Sequence, residues 1–225
     1  MSCRGPFQRR RQAAGSIGHR TQRRQSQRYL VRTEVIKIHI IRHGKTEANE
    51  KRLYCGQTDL PLSEAGRAEI ASLVKDGIYP PAGDMRFFTS GMIRTNETLA
   101  IIYGSVPKFS LPDFSEYNFG EFEMHSYDDL KNRKDYQAWI SDSSDKIACP
   151  AGESKEEFYK RVITGFNKIK DITSSAFIVC HGGVIACIME HLYPREKNFY
   201  EWQPSCGRGY TLMYEQKKFI GYKEL

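Results

Sequence analysis

The chain has no apolar run near the roughly 18 residues that a membrane span requires, so no membrane partner is expected. No apolar stretch of useful length follows its amino-terminal arginines, which argues against a secretory signal and for a soluble, cytoplasmic protein. The six cysteines (Cys3, Cys55, Cys149, Cys180, Cys187, Cys206) never fall into a CxxC pair, which excludes a zinc knuckle or redox dithiol and leaves reduced thiols. No internal repeat is visible, so solenoid architectures drop out. A glycine is also missing where one would matter. In IHIIRHGKTEAN the letters Gly44-Lys45-Thr46 spell the end of a nucleotide-binding P-loop, but that loop needs a glycine five residues before Gly44, and His39 stands there. What is left is Arg42-His43 at the carboxyl end of an apolar strand, where open α/β sheets place their ligands.

At 225 residues the chain is long enough for one well-buried domain. Its net charge of +7 is unevenly spread. Residues 1–34 hold nine arginines against a single acid, Glu34, so the body is close to neutral. That segment is rich in Gln, Arg, Ser and Gly, lacks apolar periodicity, and is expected to be a disordered basic extension. A nucleic-acid-binding arm and an Arg-rich transit peptide are its functional alternatives, and neither has a supporting motif. Nucleic acid is therefore not expected as a partner. The remaining residues, 35–225, form the expected domain.

EVIKIHII (34–41), RFFTS (86–90) and SAFIVC (175–180) are short and apolar and read as buried strands. Between them lie helical patterns. One follows Ser63 and carries Ile70, Leu73 and Val74; another, MIRTNETLAIIY, offers Ile93, Leu99 and Ile102 to the core and ends at Gly104. SKEEFYKRVITGFNKIK opens with Ser154 and Glu157 in capping-box register and places Phe158, Val162, Phe166 and Ile169 on one stripe. Residues 109–149 are aromatic and acidic with weak periodicity, which predicts loops and short helices. GYTLMYEQ and KKFIGY alternate like a hairpin. Strands alternating with helices give an α/β fold: a three-layer α/β/α domain with a mostly parallel sheet.

Two segments share one pattern, a strand followed by His-Gly: IIRHG with His43, and VCHGG with His181, Gly182 and Gly183. If the two strands are parallel neighbours, both imidazoles leave at one edge. The glycines then allow a tight turn that presents backbone N–H groups to an anion. Arg42 and Arg94 add guanidiniums whose planar fork matches two phosphate oxygens.

RHGKTEAN, GQTDLPLSEAGRAE, SGMIRTNET, FSEYNFGEFE and CHGGVI, in this order, resemble the landmarks of the histidine phosphatase superfamily, the phosphoglycerate-mutase-like fold. The resemblance runs from about residue 36 to the end. It implies that His43 is the nucleophile forming a phosphohistidine, flanked by Arg42, with Arg94 and His181 in the phosphate pocket. Glu116 falls on the catalytic acid, with Gly120 and Glu123 behind it. Asn49 matches a residue that hydrogen-bonds the phosphoryl group, and Gly56 and Gly182 complete the phosphate-binding set. Such a site uses no metal and no cofactor. Its partner is a small-molecule phosphate ester, and none of these features specifies an oligomeric state.

The sequence departs from the family pattern at Gly91 (commonly proline), Phe122 (tryptophan) and Met124 (glycine), none of which is a reacting group. Lys45-Thr46 follows RHG where phosphoglycerate mutases carry Glu-Ser, and the segment from Glu116 to His181 is short, which favours a phosphatase over a mutase. CPAGES resembles the CPGGES of bacterial alpha-ribazole phosphatases, although GES also occurs in broad-specificity members. Five aromatics, Phe114, Tyr117, Phe119, Phe122 and Tyr127, are open to two readings: a stack for a nucleoside-like ring, or core. A catalytically silent module that only holds a phosphorylated ligand is the rival from another class, and the intact set of His43, His181 and Glu116 argues against it. Because the basic segment holds none of these residues, removal of residues 1–34 should leave the rate of phosphate release unchanged in a steady-state assay.

Overall fold

Burial of β-branched runs organises the chain into a six-stranded sheet. The computed structural model describes residues 35–225 apart from Asp171 and Thr173, and the basic extension expected at 1–34 lies outside the described residues. Strands β1 (Ile36–Arg42), β2 (Arg86–Thr89), β3 (Lys108–Ser110), β4 (Ala176–Cys180), β5 (Gly209–Glu215) and β6 (Lys218–Glu224) run in the spatial order β3-β2-β4-β1-β5-β6. The first four are mutually parallel, and β5 and β6 add on antiparallel as the expected hairpin. All five residues of β4 are buried, as suits a central strand covered on both faces.

Side chains alternate between two cores, as the pleat requires. Ile38, Ile40, Ala176, Ile178 and Cys180 face one apolar cluster, whereas Ile41, Phe177 and Val179 face the other. The larger cluster is covered by α6 (Lys155–Ile169) and α7 (Gly182–Leu192), together with the aromatic middle of the chain. The smaller one takes Leu99 from α3 (Ile93–Tyr103). The three-layer α/β/α expectation thus holds. No described helix is long and apolar enough to cross a membrane.

The middle segment forms short pieces: two 3-10 turns (Pro112–Phe114 and Gly120–Phe122), α4 (Tyr127–Leu130) and α5 (Lys134–Ile140). The sequence reading missed β3, whose three residues are all exposed and so carry no apolar signature. It also mis-phased the first turn of α3. Ile93 is 43% exposed, and the buried face carries Arg94, Thr95, Thr98 and Leu99. Leu99 and Ile102 do pack on the smaller core as expected, but the first turn of this helix faces a polar pocket, so Arg94 takes the inner position there and Ile93 does not. On α2 (Glu64–Lys75), Ile70 and Leu73 are buried while Val74 is exposed.

The capping box of α6 is present as expected. Ser154 Oγ accepts from the Glu157 N–H at 3.2 Å, and the Glu157 carboxylate accepts from the Ser154 N–H at 2.9 Å. Ser154→Ala is expected to lower stability by about 1 kcal/mol, the usual worth of an N-cap, in urea denaturation.

Candidate active site

The pairing of β1 with β4 sets the site. Arg42 lies opposite Cys180, and the next N–H, that of His43, donates to the Cys180 carbonyl at 3.0 Å. The residues that follow on the two strands, His43 and His181, therefore emerge side by side. Their ring centroids are 5.1 Å apart at an interplanar angle of 66°.

Both rings are buried, and their hydrogen bonds fix their tautomers. His43 Nδ1 lies 2.6 Å from the Gly44 carbonyl oxygen. A carbonyl can only accept, so Nδ1 carries the proton and Nε2 carries the lone pair. His181 Nδ1 accepts from the Arg94 Nε–H at 3.3 Å, which leaves its Nε2–H to donate to Ser90 Oγ at 2.9 Å. Burial, then Arg94 and Arg42, hold His43 well below the ordinary imidazole range, against a smaller upward pull from the Gly44 hydrogen bond. Burial, Arg94, His43 and Arg42 do the same to His181. Both are neutral bases in a positive field.

Arg94 is 1% exposed. Besides His181, it donates from Nη1 to the Thr58 carbonyl at 2.9 Å and from Nη2 to the Gly56 carbonyl at 2.6 Å. The loop carrying those carbonyls is held in turn by Glu123, whose carboxylate accepts from the N–H groups of Gly56, Gln57, Thr58 and Phe119 and from Thr58 Oγ1. The N–H of Gly56 is thus committed, so this residue, placed by the resemblance in the phosphate-binding set, serves Arg94 through its carbonyl. A Cβ at Gly56 would fall 1.6 Å from the Tyr117 carbonyl oxygen, which explains why only glycine fits.

Glu116 reaches the same edge. Its Oε2 accepts from the Gly183 N–H at 3.0 Å, and its Oε1 accepts from the Tyr117 N–H at 2.9 Å. The two glycines opening α7 clear the room. A Cβ on Gly183 would lie 2.5 Å from Glu116 Oε1, and one on Gly182 would press on the Arg42 guanidinium at 3.3 Å. Arg42 donates from Nη1 to the Pro204 carbonyl at 3.1 Å, and its buried Nε–H finds no acceptor among the described residues. Asn49 Oδ1 accepts from the Thr46 N–H and Oγ1–H at 3.0 and 3.1 Å, which reserves its amide NH2 for another partner. Arg42 and Asn49 line an open cleft of about 370 Å³ with Arg52, Leu53, Tyr54 and Tyr127.

Contacts link the sequence-predicted residues: His43 meets His181, His181 meets Arg94, Arg94 holds Gly56, Gly182 abuts Arg42, Glu116 joins through Gly183, and Asn49 lines a cleft with Arg42. Sequence reasoning gave no role to Glu123, Ser90, Glu153 or Arg161. Arg161 donates to the Ser115 and Glu116 carbonyls and pairs with Glu153 at 2.6 Å, which pins the backbone under the Glu116 carboxylate. The GES block was the available signal for this clasp, since Glu153 lies inside it. Lys45 points away to an exposed ion pair with Glu69 at 3.0 Å, in keeping with the failed P-loop reading. Of the five aromatics, Phe114, Tyr117 and Phe122 are core residues and Phe119 is half-buried, whereas Tyr127 is 57% exposed on the cleft wall.

A mostly parallel α/β sheet that brings two neutral histidines, the buried Arg94 and the half-buried Arg42 to one edge has the chemistry of an oxyanion site. The family model of the histidine phosphatase superfamily (branch 1) matches residues 38–218, and the chain belongs to that superfamily. It is 28% identical to the adenosylcobalamin/alpha-ribazole phosphatase of Salmonella typhimurium over 70% of this chain and 79% of the relative. It is also 28% identical to phosphoglycerate mutase-like protein 4 of Arabidopsis thaliana, over 70% of this chain and 71% of that one. The crystal structure of the alpha-ribazole phosphatase from Shigella flexneri shares the fold with a TM-score of 0.70 at 23% identity, covering 82% of this chain and 93% of that one.

Three buried imidazoles make stability depend on pH. His39, held at about 4 by burial and then Lys37, joins His43 and His181 in folding neutral. Their folded pKa values lie below the unfolded value near 6.5, so the unfolded chain binds more protons in acid. The stability they contribute is complete above pH 6.5 and is lost as pH falls toward their folded values. Urea denaturation should show a loss of roughly 1.4 kcal/mol per histidine between pH 7.5 and 5.5, about 4 kcal/mol in all, and a flat profile would contradict the neutral assignment.

Proposed function

We propose that the chain is a metal-independent phosphatase that hydrolyses a small phosphate monoester through a phosphohistidine at His43. The observation that carries this reading is the state of His43: neutral, with its proton held on Nδ1 by Gly44 and its Nε2 lone pair free, beside two guanidiniums. Hydrolysis of phosphate monoesters is among the slowest uncatalysed reactions, so most of the acceleration must come from positioning and from charge placed in advance around the phosphoryl oxygens.

His43 Nε2 attacks phosphorus in line, an N–P bond forms, and the P–O bond to the alcohol breaks. Arg42, Arg94, His181, the Asn49 amide and the start of α7 surround the equatorial oxygens. Glu116 gives its proton to the departing alkoxide. The resulting carboxylate takes a proton from water, the water oxygen attacks phosphorus, and the N–P bond returns its electrons to Nε2. Phosphate leaves with the enzyme restored.

The finer reading is alpha-ribazole 5′-phosphate, in the assembly of the cobalamin nucleotide loop, with the reaction in the cytoplasm. The CPAGES block and the alpha-ribazole phosphatases among the relatives support it. His43→Ala should abolish both phosphate release and an acid-labile phosphoenzyme in rapid-quench labelling, and EDTA should leave the wild-type rate unchanged. Substantial turnover by the alanine variant would remove His43 as nucleophile.

A further inference from the structure

We infer that Arg52 and Tyr127 form a subsite for a planar aromatic ring on the alcohol that leaves, so that ring-bearing, nucleoside-like 5′-phosphates are preferred over bare sugar phosphates. This rests on the phosphatase reading above and names the substrate class of that same cleft.

Both residues line the cleft together with Arg42 and Asn49. A short antiparallel bridge, Leu53 with Ser126, continues through the Tyr54 N–H donating to the His125 carbonyl at 2.9 Å. Arg52 and Tyr127 are the next residues outward on the two sides of that bridge, so the ribbon sets them next to each other on one wall. Tyr127 leaves most of its ring open, whereas Phe114, Tyr117 and Phe122, which the sequence also offered, are spent in the core.

Arg52 has two unusual properties. Its φ is +54°, a left-handed conformation that glycine or asparagine adopts with less strain, and it sits just after the end of the four-residue helix α1 (Glu47–Glu50), where those residues are customary. Its guanidinium has no carboxylate or carbonyl partner among the described residues. Strain of this kind persists where the surrounding structure over-determines it, and it collects at active sites and ligand clamps. An unpaired guanidinium beside an exposed phenol ring offers a cation face and a π face at once, and a flat ring is the ligand that uses both. Of the other cleft aromatics, the Tyr54 hydroxyl is already bonded to Tyr136 Oη at 2.6 Å, which fixes it as wall.

The test measures kcat/KM for adenosine 5′-monophosphate, alpha-ribazole 5′-phosphate, ribose 5-phosphate and 3-phosphoglycerate. Wild-type protein should favour the two ring-bearing esters over ribose 5-phosphate. In Tyr127→Ala and in Arg52→Ala that ratio should fall about tenfold, the ordinary worth of one stacked base, and Tyr127→Phe should keep it. Unchanged ratios in both alanine variants, or a wild-type preference for 3-phosphoglycerate, would overturn the subsite while leaving the phosphatase reading intact. If wild-type protein released phosphate from none of the four, the phosphatase reading itself would fall, and the subsite with it.

Discussion

The parallel register of β1 on β4 is the constraint on which the rest depends. One hydrogen bond past the last strand pair, from His43 N–H to the Cys180 carbonyl, places two imidazoles at the same sheet edge and at the same height. A slip of one residue would turn every side chain of β1 to the opposite face and carry His43 into the wrong layer. The buried alternation of Ile38 and Ile40 against Ile41 forbids that slip, because it would exchange the contents of two separate apolar cores. Core packing thereby fixes the geometry of the pocket.

Positive charge is then stored there without a direct ion pair. Neither Arg42 nor Arg94 forms an ion pair with a carboxylate among the described residues; both are held by backbone carbonyls of Pro204, Gly56 and Thr58. Carbonyl dipoles satisfy guanidinium N–H groups while leaving the net charge standing, whereas a buried carboxylate would cancel it. Burial first, and then this residual field, keeps both histidines neutral. Desolvating such cations is costly, and the cost is met by the surrounding structure, chiefly by Glu123. That carboxylate gathers four backbone N–H groups and one hydroxyl into the loop that grips Arg94.

Much of this was legible in the sequence, and the limits have physical causes. Strands β1, β2 and β4 and the box at Ser154 and Glu157 are local signals, and the structure has them. The paired His-Gly turns could be read as one site because the same chemistry recurs after two apolar strands. The phase of α3 was hidden because its buried face is polar at one end, so that Arg94 replaces Ile93 inside. The indirect task of Gly56 was hidden because a backbone carbonyl leaves no trace in a motif. Which of five aromatics stays open depends on the packing of α4 and α5, and no periodicity in that segment encodes it.

The wall of the cleft shows how the departures from the family pattern fit the same logic. Met124 holds a left-handed φ of +59°, a conformation that favours glycine, and Arg52 holds +54° on the strand paired with it. The Met124 N–H donates to the Tyr54 carbonyl at 2.7 Å, so the strained residue is also a rung of the ribbon. Two left-handed residues with side chains, at opposite ends of one short ribbon, each cost on the order of 1 kcal/mol. A ribbon so short could not bear that alone. It is braced from behind by Phe122, Tyr136 and Trp139, all buried in the larger core, and from the pocket side by Glu123 on the Gly56–Thr58 loop. The carboxylate that steadies Arg94 thus also steadies the wall of the cleft, so the guanidinium and the wall stand on one support.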